Sequence, residues 1–309
     1  MSANIIEWKA HGKTLHIRDL VSMEDYREVE RIQVEAWGFD DLDVVPSGQL
    51  IAAKWAGAIL LGAFDSTRMI GFVYGFPAIE AGHVSLHSHM LAVRPDSRNL
   101  RAGIFLKLAQ RTKALELGLD EISWTFDPLQ VLNANLNFAR LGVLSERYIV
   151  NFYGDETSSP LHRGVGTDRL WVRWLISTER VKMRLADLTA DQRPGSHPVE
   201  PGVTVARLGL EKQLDNPGPL VLVRAGQSWQ ALAESASAPG FAECLIEIPA
   251  DIGSLKRANA GLAQQWRSIV QAAFMQFFAS GFIAEEFVEI GSPSNRRWFY
   301  LLKSGPILG

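Results

Sequence analysis

Apolar residues alternate along 83–93 and then recur every third or fourth position from 100 to 119, so a strand gives way to a helix across one short loop. In the strand, alternation puts His87, His89, Leu91 and Val93 on one face. In the helix, Leu100, Ile104, Leu108, Thr112, Leu115 and Leu119 form a single apolar stripe, with Lys107, Arg111 and Lys113 directed outward. That spacing predicts about five turns. The first turn of such a helix presents backbone N–H groups without partners at the positive end of its dipole, so the junction is a natural anion site.

The same reading organises the rest of the chain. A short strand at 16–20 precedes Ser22-Met23-Glu24-Asp25, a capping box opening a helix whose buried stripe is Tyr26, Val29, Ile32, Ala36 and Trp37. A second helix is expected at 46–55. Apolar runs at 58–64 and 69–76, separated by turn-forming residues, pair with the strand ending at Val93 as an antiparallel meander. The helix after Gly103 closes at Gly118, and a strand at 121–126 returns parallel to the one before the helix. Leu132, Leu136, Ala139 and Leu141 mark another helix, ended by Gly142. Strands at 145–152 and 168–176 flank a loop rich in glycine.

Pro194, Gly195, Pro198, Pro201 and Gly202 crowd a polar stretch, which predicts a domain over 1–185, a linker at 186–202 and a smaller α/β unit over 203–309. In the latter, strands are expected at 220–224 and 243–248. A long helix follows, carrying Leu255, Leu262, Trp266, Ile269, Ala273 and Phe277 in register. A closing pair of strands lies at 282–290 and 297–302. The fold class is α+β, a mixed, mostly antiparallel twisted sheet flanked by helices.

Composition narrows the partners. Among 309 residues, 31 basic and 34 acidic side chains leave a net charge of −3, so no global basic field favours nucleic acid. Cys244 is the single cysteine, which excludes an internal disulfide and suits a reducing, cytoplasmic setting. No export signal is expected in 1–18, and no apolar run approaches the ~20 residues of a membrane helix. His87-Ser88-His89 has no further ligands at metal-binding spacing, so no metal is expected.

The order of elements from Ile17 to Ile176 resembles the GNAT superfamily of N-acetyltransferases, a match over slightly more than half the chain. The superfamily's acyl-CoA signature, Arg/Gln-x-x-Gly-x-Gly/Ala after its fourth strand, is similar to Arg98-Asn99-Leu100-Arg101-Ala102-Gly103, with Arg101 standing in a glycine position. His87-Ser88-His89-Met90, Trp124-Thr125-Phe126-Asp127-Pro128-Leu129, Asn133-Ala134-Asn135-Leu136-Asn137 and Thr167-Asp168-Arg169-Leu170 resemble a two-part bacterial branch that is largely uncharacterised. Some relatives there are regarded as amino-acid N-acyltransferases, including succinyl transfer. The C-terminal order of helix, Gly-Phe, strand, loop and strand loosely echoes the end of the first domain, as a degenerate second half would.

The resemblance implies acetyl-CoA or succinyl-CoA as acyl donor and a small-molecule amine, such as an amino acid, as acceptor. It implies direct attack in a ternary complex, with a homodimer as one arrangement of the chain. The pyrophosphate is expected on Arg98, Asn99, Arg101, Ala102, Gly103 and Ile104, and the thioester carbonyl near the backbone of Leu91 or Val93. Asn133 is expected against the pantetheine arm. Three bases compete for the ammonium proton: His87, His89 and Asp127. The superfamily's usual acid, a tyrosine four residues before the closing glycine, falls on Phe138, which leaves Tyr148 or Tyr153 to protonate the thiolate. The alternative is a non-catalytic acyl-CoA-binding or regulatory protein on the same fold, favoured by Arg101 and Phe138.

Overall fold

The computed structural model describes residues 6–10, 13–39, 42–66, 68–154, 166–189, 221–225, 228–231, 241–292 and 295–305. They form two compact units, one within Met1–Trp124 and one within Thr125–Asp155 and Gly164–Gly309.

In the first unit the strands β1 (Ile6–Ala10), β2 (Lys13–Asp19), β3 (Ile59–Asp65), β4 (Arg68–Glu80) and β5 (His83–Val93) pair in sequence order, each antiparallel to the next. β6 (Glu121–Phe126) joins β5 in parallel. That direction is imposed by the crossover through α3 (Ala102–Glu116). Helices α1 (Met23–Trp37) and α2 (Ser47–Trp55) come between β2 and β3. Tyr26, Val29, Ile32 and Leu50 from these helices bury against Phe72, Tyr74, Met90 and Ala92 of β4 and β5.

α1 begins as expected. Ser22 Oγ accepts from Asp25 N, and the Asp25 carboxylate accepts from Ser22 N, each at 3.1 Å. β1 escaped the sequence reading because its Glu7, Lys9 and neighbouring polar residues hide the alternation. α3 starts two residues later than its apolar stripe suggested, because Pro95–Leu100 forms a 3-10 segment first.

In the second unit α4 (Val131–Ala134) continues into a π-helical stretch over Asn135–Leu141, ended by Gly142 at φ +73°. The sheet order is β8 (Arg169–Leu175), β7 (Leu144–Ile149), β12 (Phe282–Ser292), β13 (Asn295–Ser304), β11 (Glu243–Ile248), β9 (Val221–Ala225) and β10 (Ser228–Ala231). β7 therefore meets β12 directly, through Ser145 and Ala284. This is why packing groups the segment after Trp124 with the C-terminal strands, a different division from the compositional one. The expected linker at 186–202 lies outside the described residues from 190 onward, as does most of the glycine-rich loop. The first positions of that linker, 186–189, belong to the helix α5 (Glu179–Thr189).

The long helix predicted through Leu255 and Phe277 is two helices, α6 (Ile252–Ala258) and α7 (Ala260–Ala279). Asn259 breaks it: its backbone is extended, and its side chain accepts from Leu262 N at 3.0 Å as the cap of α7. Among the described residues no helix is long and apolar enough to cross a membrane.

Candidate active site

β5 carries the first cluster, and its geometry depends on one extra residue. The β4 partner of Met90 is Tyr74 and that of Ser88 is Gly75, so His89 is the unpaired residue of a β-bulge. A bulge resets which side chains share a face. The expectation that His87 and His89 share a face with Leu91 and Val93 is thereby corrected. The two imidazoles lie with Phe76, at ring-centroid distances of 5.5 and 5.6 Å, and 6.3 Å from each other. His89 also meets Tyr74, at 6.1 Å. Leu91 and Val93 turn to α3, where a Cβ on Gly103 would stand 3.4 Å from Leu91 Cδ2. Opposite the bulge, a side chain at Gly75 would come within 2.9 Å of Gln110 Nε2 and of the His87 carbonyl, which is why glycine sits there.

His87 Nδ1 lies 3.2 Å from Ser123 Oγ of β6. Burial, then the neighbouring His89 and Lys107, push the His87 pKa down to about 4. Part of the His89 ring reaches solvent, yet the protein packed around it also lowers its pKa. Both imidazoles are therefore neutral at pH 7.

The opposite face holds a group the sequence reading placed wrongly. Lys107, expected to look outward, is only 4 % exposed. Its Nζ donates to Ser88 Oγ at 2.7 Å and to Gln110 Oε1 at 3.4 Å, and sits 3.6 Å from the centroid of the Trp124 ring. Burial drives its pKa well below the usual lysine value. The available signal was its place three residues after Ile104, within the apolar stripe.

β5 and β6 pair at two rungs only, Leu86 with Ile122 and His87 with Ser123. Beyond them β5 runs on to Val93, paired with β4. The loop that follows is anchored by Arg94, which is buried, donates to the Met69 carbonyl at 2.9 Å and pairs with Glu28 and Glu35 of α1. Arg98 and Asn99 are exposed in the 3-10 segment, Arg98 reaching the Ala36 carbonyl at 3.5 Å. Arg101 stands at φ +59°, ψ +17°, the left-handed conformation a glycine adopts most easily. It opens α3, which has no side-chain cap, so backbone N–H groups of its first turn around Ala102, Gly103 and Ile104 are not capped by any side chain. Arg101 Nε is buried and has no hydrogen-bond partner among the described residues.

The second unit holds a polar cluster of its own. Asp127 and Tyr148, chosen as base and acid, both converge on Arg267 of α7. Arg267 donates to the two Asp127 carboxylate oxygens at 2.7 and 3.1 Å and is 3 % exposed. Burial alone would raise the Asp127 pKa, but the Arg267 charge and hydrogen bonds and the Leu129 N–H hold it below the usual carboxylate value. Its carboxylate is thus a weak base. Tyr148 donates to Asp168 Oδ2 at 2.7 Å, and burial followed by the Asp168 charge raises its pKa. Asn133 is exposed on α4. Phe138 is core, edge-on to Tyr300 at 5.4 Å, while the Tyr300 hydroxyl donates to the Pro128 carbonyl at 2.7 Å. Arg147 lies over the Trp171 ring and Arg169 over the Tyr153 ring. Sequence reasoning missed Arg267, although it sits four residues after Ala263 and three before Val270, both buried.

No family model and no curated protein matches the sequence. Among solved structures, the chain is similar to a GNAT-family protein from Desulfovibrio desulfuricans, at 15 % identity and TM-score 0.44 over 53 % of this chain and 99 % of that one. It is similar to the ribosomal-protein-S18-alanine N-acetyltransferase of Escherichia coli, at 15 % identity and TM-score 0.42 over 53 % and 95 % of the two chains. An aminoglycoside 6'-acetyltransferase type Ii is similar at 15 % identity and TM-score 0.39, over 52 % and 97 %.

Proposed function

We propose that the protein is an acyl-CoA-dependent N-acyltransferase that transfers an acetyl or succinyl group to a small-molecule amine, with an amino acid as the favoured acceptor. The observation that carries this reading is the β5–loop–α3 unit. A strand that outruns its parallel neighbour leads into a left-handed residue and an uncapped helix start, with Arg101 Nε left as a buried donor. Those groups suit a pyrophosphate: the first-turn N–H groups of Ala102 and Gly103, and that of Ile104, which also donates to the Arg101 carbonyl at 3.1 Å, would donate to its oxygens, with Arg98 and Asn99 at the rim. The backbone of Leu91 and Val93 would lie along the pantetheine arm and offer an N–H to the carbonyl oxygen. Bound acyl-CoA supplies the activated acyl group.

His87 is the base this reading assigns, with His89 beside it. Each is neutral at pH 7 and is a weaker base than an ordinary imidazole; what sets them apart from Asp127 is that both Asp127 oxygens are already engaged by Arg267. Asp127 serves instead to hold Arg267, and Tyr148 to hold Asp168. A CoA thiolate leaves without an assigned side-chain acid.

Phe138 in the tyrosine position favours a second reading, a CoA-binding protein without catalysis. Thiol release from acetyl-CoA and succinyl-CoA, measured across a panel of amino acids and simple amines, separates the two. Turnover with an amine that is lost in His87→Asn supports the enzyme. Heat on titration with CoA but no thiol release supports the binder, and no heat with folded protein removes both.

A further inference from the structure

Three arginines flank the turn from β5 into α3, and the sequence does not separate those that would meet a ligand from those that shape the turn. Their partners do. Arg94 is 4 % exposed, and each nitrogen of its guanidinium is engaged by the protein. Nε donates to the Met69 carbonyl at 2.9 Å, and the two terminal nitrogens reach Glu35 and Glu28 of α1. Its backbone is held as well, N donating to the Ile70 carbonyl of β4 at 2.8 Å. Arg98, by contrast, is exposed, and Arg101 Nε has no partner among the described residues. We infer that Arg94 is a positioning residue: clamped between Met69 and the two α1 glutamates, it fixes Pro95–Leu100 and so holds the turn at the start of α3 in its anion-binding geometry.

The inference rests on the acyltransferase reading for what the turn binds, but the hold on the turn stands apart from it. Glu28 and Glu35 offset the Arg94 charge, so the cluster brings no surplus positive charge to a phosphate. Its contribution to binding is order. The other ties of this six-residue segment are lighter. Arg68 meets Asp96 at 2.9 Å with both side chains exposed, and Arg98 reaches the Ala36 carbonyl at 3.5 Å. Exposed pairs of this kind hold little. A segment released from α1 would have to be ordered afresh by each ligand that binds it, and that ordering lowers affinity. The pyrophosphate is common to every CoA thioester, so the loss falls equally on acetyl-CoA, succinyl-CoA and free CoA and leaves the transfer step alone.

The test joins amide hydrogen exchange to CoA titration and kinetics, all in the full-length protein. Arg94→Met alone would strand two carboxylates, so the variant used is the triple Glu28→Gln, Glu35→Gln, Arg94→Met, which leaves the whole cluster neutral. Glu35→Gln, at a side chain 44 % exposed, is the milder second variant. In the triple variant without ligand, exchange at the amides of 96–101 is expected to speed up about tenfold. Kd for CoA and KM for both thioesters should rise by one common factor of about ten, with kcat and the KM for the acceptor unchanged. Glu35→Gln should move the same quantities in the same direction by about two- to threefold. Unchanged exchange in both variants overturns the inference, and so does an unchanged CoA affinity in a protein that binds CoA. A fall in kcat at constant donor KM overturns it too. Absence of heat when the native protein is titrated with CoA counts against the acyltransferase reading alone, since exchange reports the turn without a ligand.

Discussion

Arg267 grips both carboxylate oxygens of Asp127, 140 residues earlier in the chain, with the pair almost wholly enclosed by protein. Together with the Tyr300 hydroxyl on the Pro128 carbonyl, it fixes the turn after β6 from the C-terminal elements α7 and β13. The partners are so committed to each other that removing one leaves a buried charge without compensation.

Arg267→Met is therefore expected to cost about 3–5 kcal/mol of stability, measured by urea unfolding, whereas the double variant Asp127→Asn with Arg267→Met costs less than the sum of the singles. Additive losses would show that the pair is not coupled. Because the folded-state pKa of Asp127 is depressed, its contribution is present above the unfolded value near 4 and fades as pH falls through the lower folded value.

His87 sets a second pH dependence. Its folded pKa of about 4 lies below the ordinary 6.5, so between those values the unfolded chain binds a proton that the folded one does not. Stability is expected to be level above pH 6.5, to decline as pH falls from 6.5 toward 4, and to stop declining on this account below 4. In His87→Gln the decline over that window should be shallower. An identical slope in both proteins would refute the depressed pKa.

Lys107 is the buried cation with no carboxylate paired to it among the described residues. Lys107→Met keeps the length of the side chain and removes the desolvated amine, at the loss of the contact with Trp124. Its unfolding free energy should equal or exceed the native value by up to about 2 kcal/mol, while Lys107→Ala, which opens a cavity, should lose about 2–3 kcal/mol. If the methionine variant is clearly less stable than the native protein, the amine is a required part of the core.

Arg101 occupies a left-handed conformation that costs a non-glycine residue roughly 1 kcal/mol. Arg101→Gly is expected to raise the thermal midpoint slightly, and Arg101→Val, β-branched, to lower it by several degrees. In the binding reading, CoA titration would weaken in Arg101→Gly through loss of the guanidinium alone. Equal midpoints for the two variants would show that the conformation is not held.

What was legible in the sequence follows from what produces local pattern. The capping box at Ser22 and Asp25, the hairpin of β3 and β4, and the strand Glu243–Ile248 all express themselves in nearest neighbours, and each is where it was expected. What was not legible depends on distant partners. Lys107 reads as a surface lysine until Ser88 and Trp124 are seen beside it, and Arg267 has no visible role without Asp127. The break at Asn259 was missed because apolar period continues across it, whereas the chain direction does not. Of the candidate site, the loop from Arg98 to Ile104 was found from its strand-to-helix junction. Ser123 was not, since a serine inside a strand carries no signal of its own.

The extra residue at His89 makes β5 a strand of two parities. Counting in twos backward from Val93 reaches Leu91, but before the bulge the residues on that face are Ser88 and Leu86, one position out of step with the count. A related chain lacking this residue would need a one-position gap inside an otherwise continuous strand to be aligned correctly. Deleting His89 would turn the ladder regular, Ser88 opposite Gly75 and Met90 opposite Tyr74, and would leave Met90 and Ala92 on the face that packs against α1.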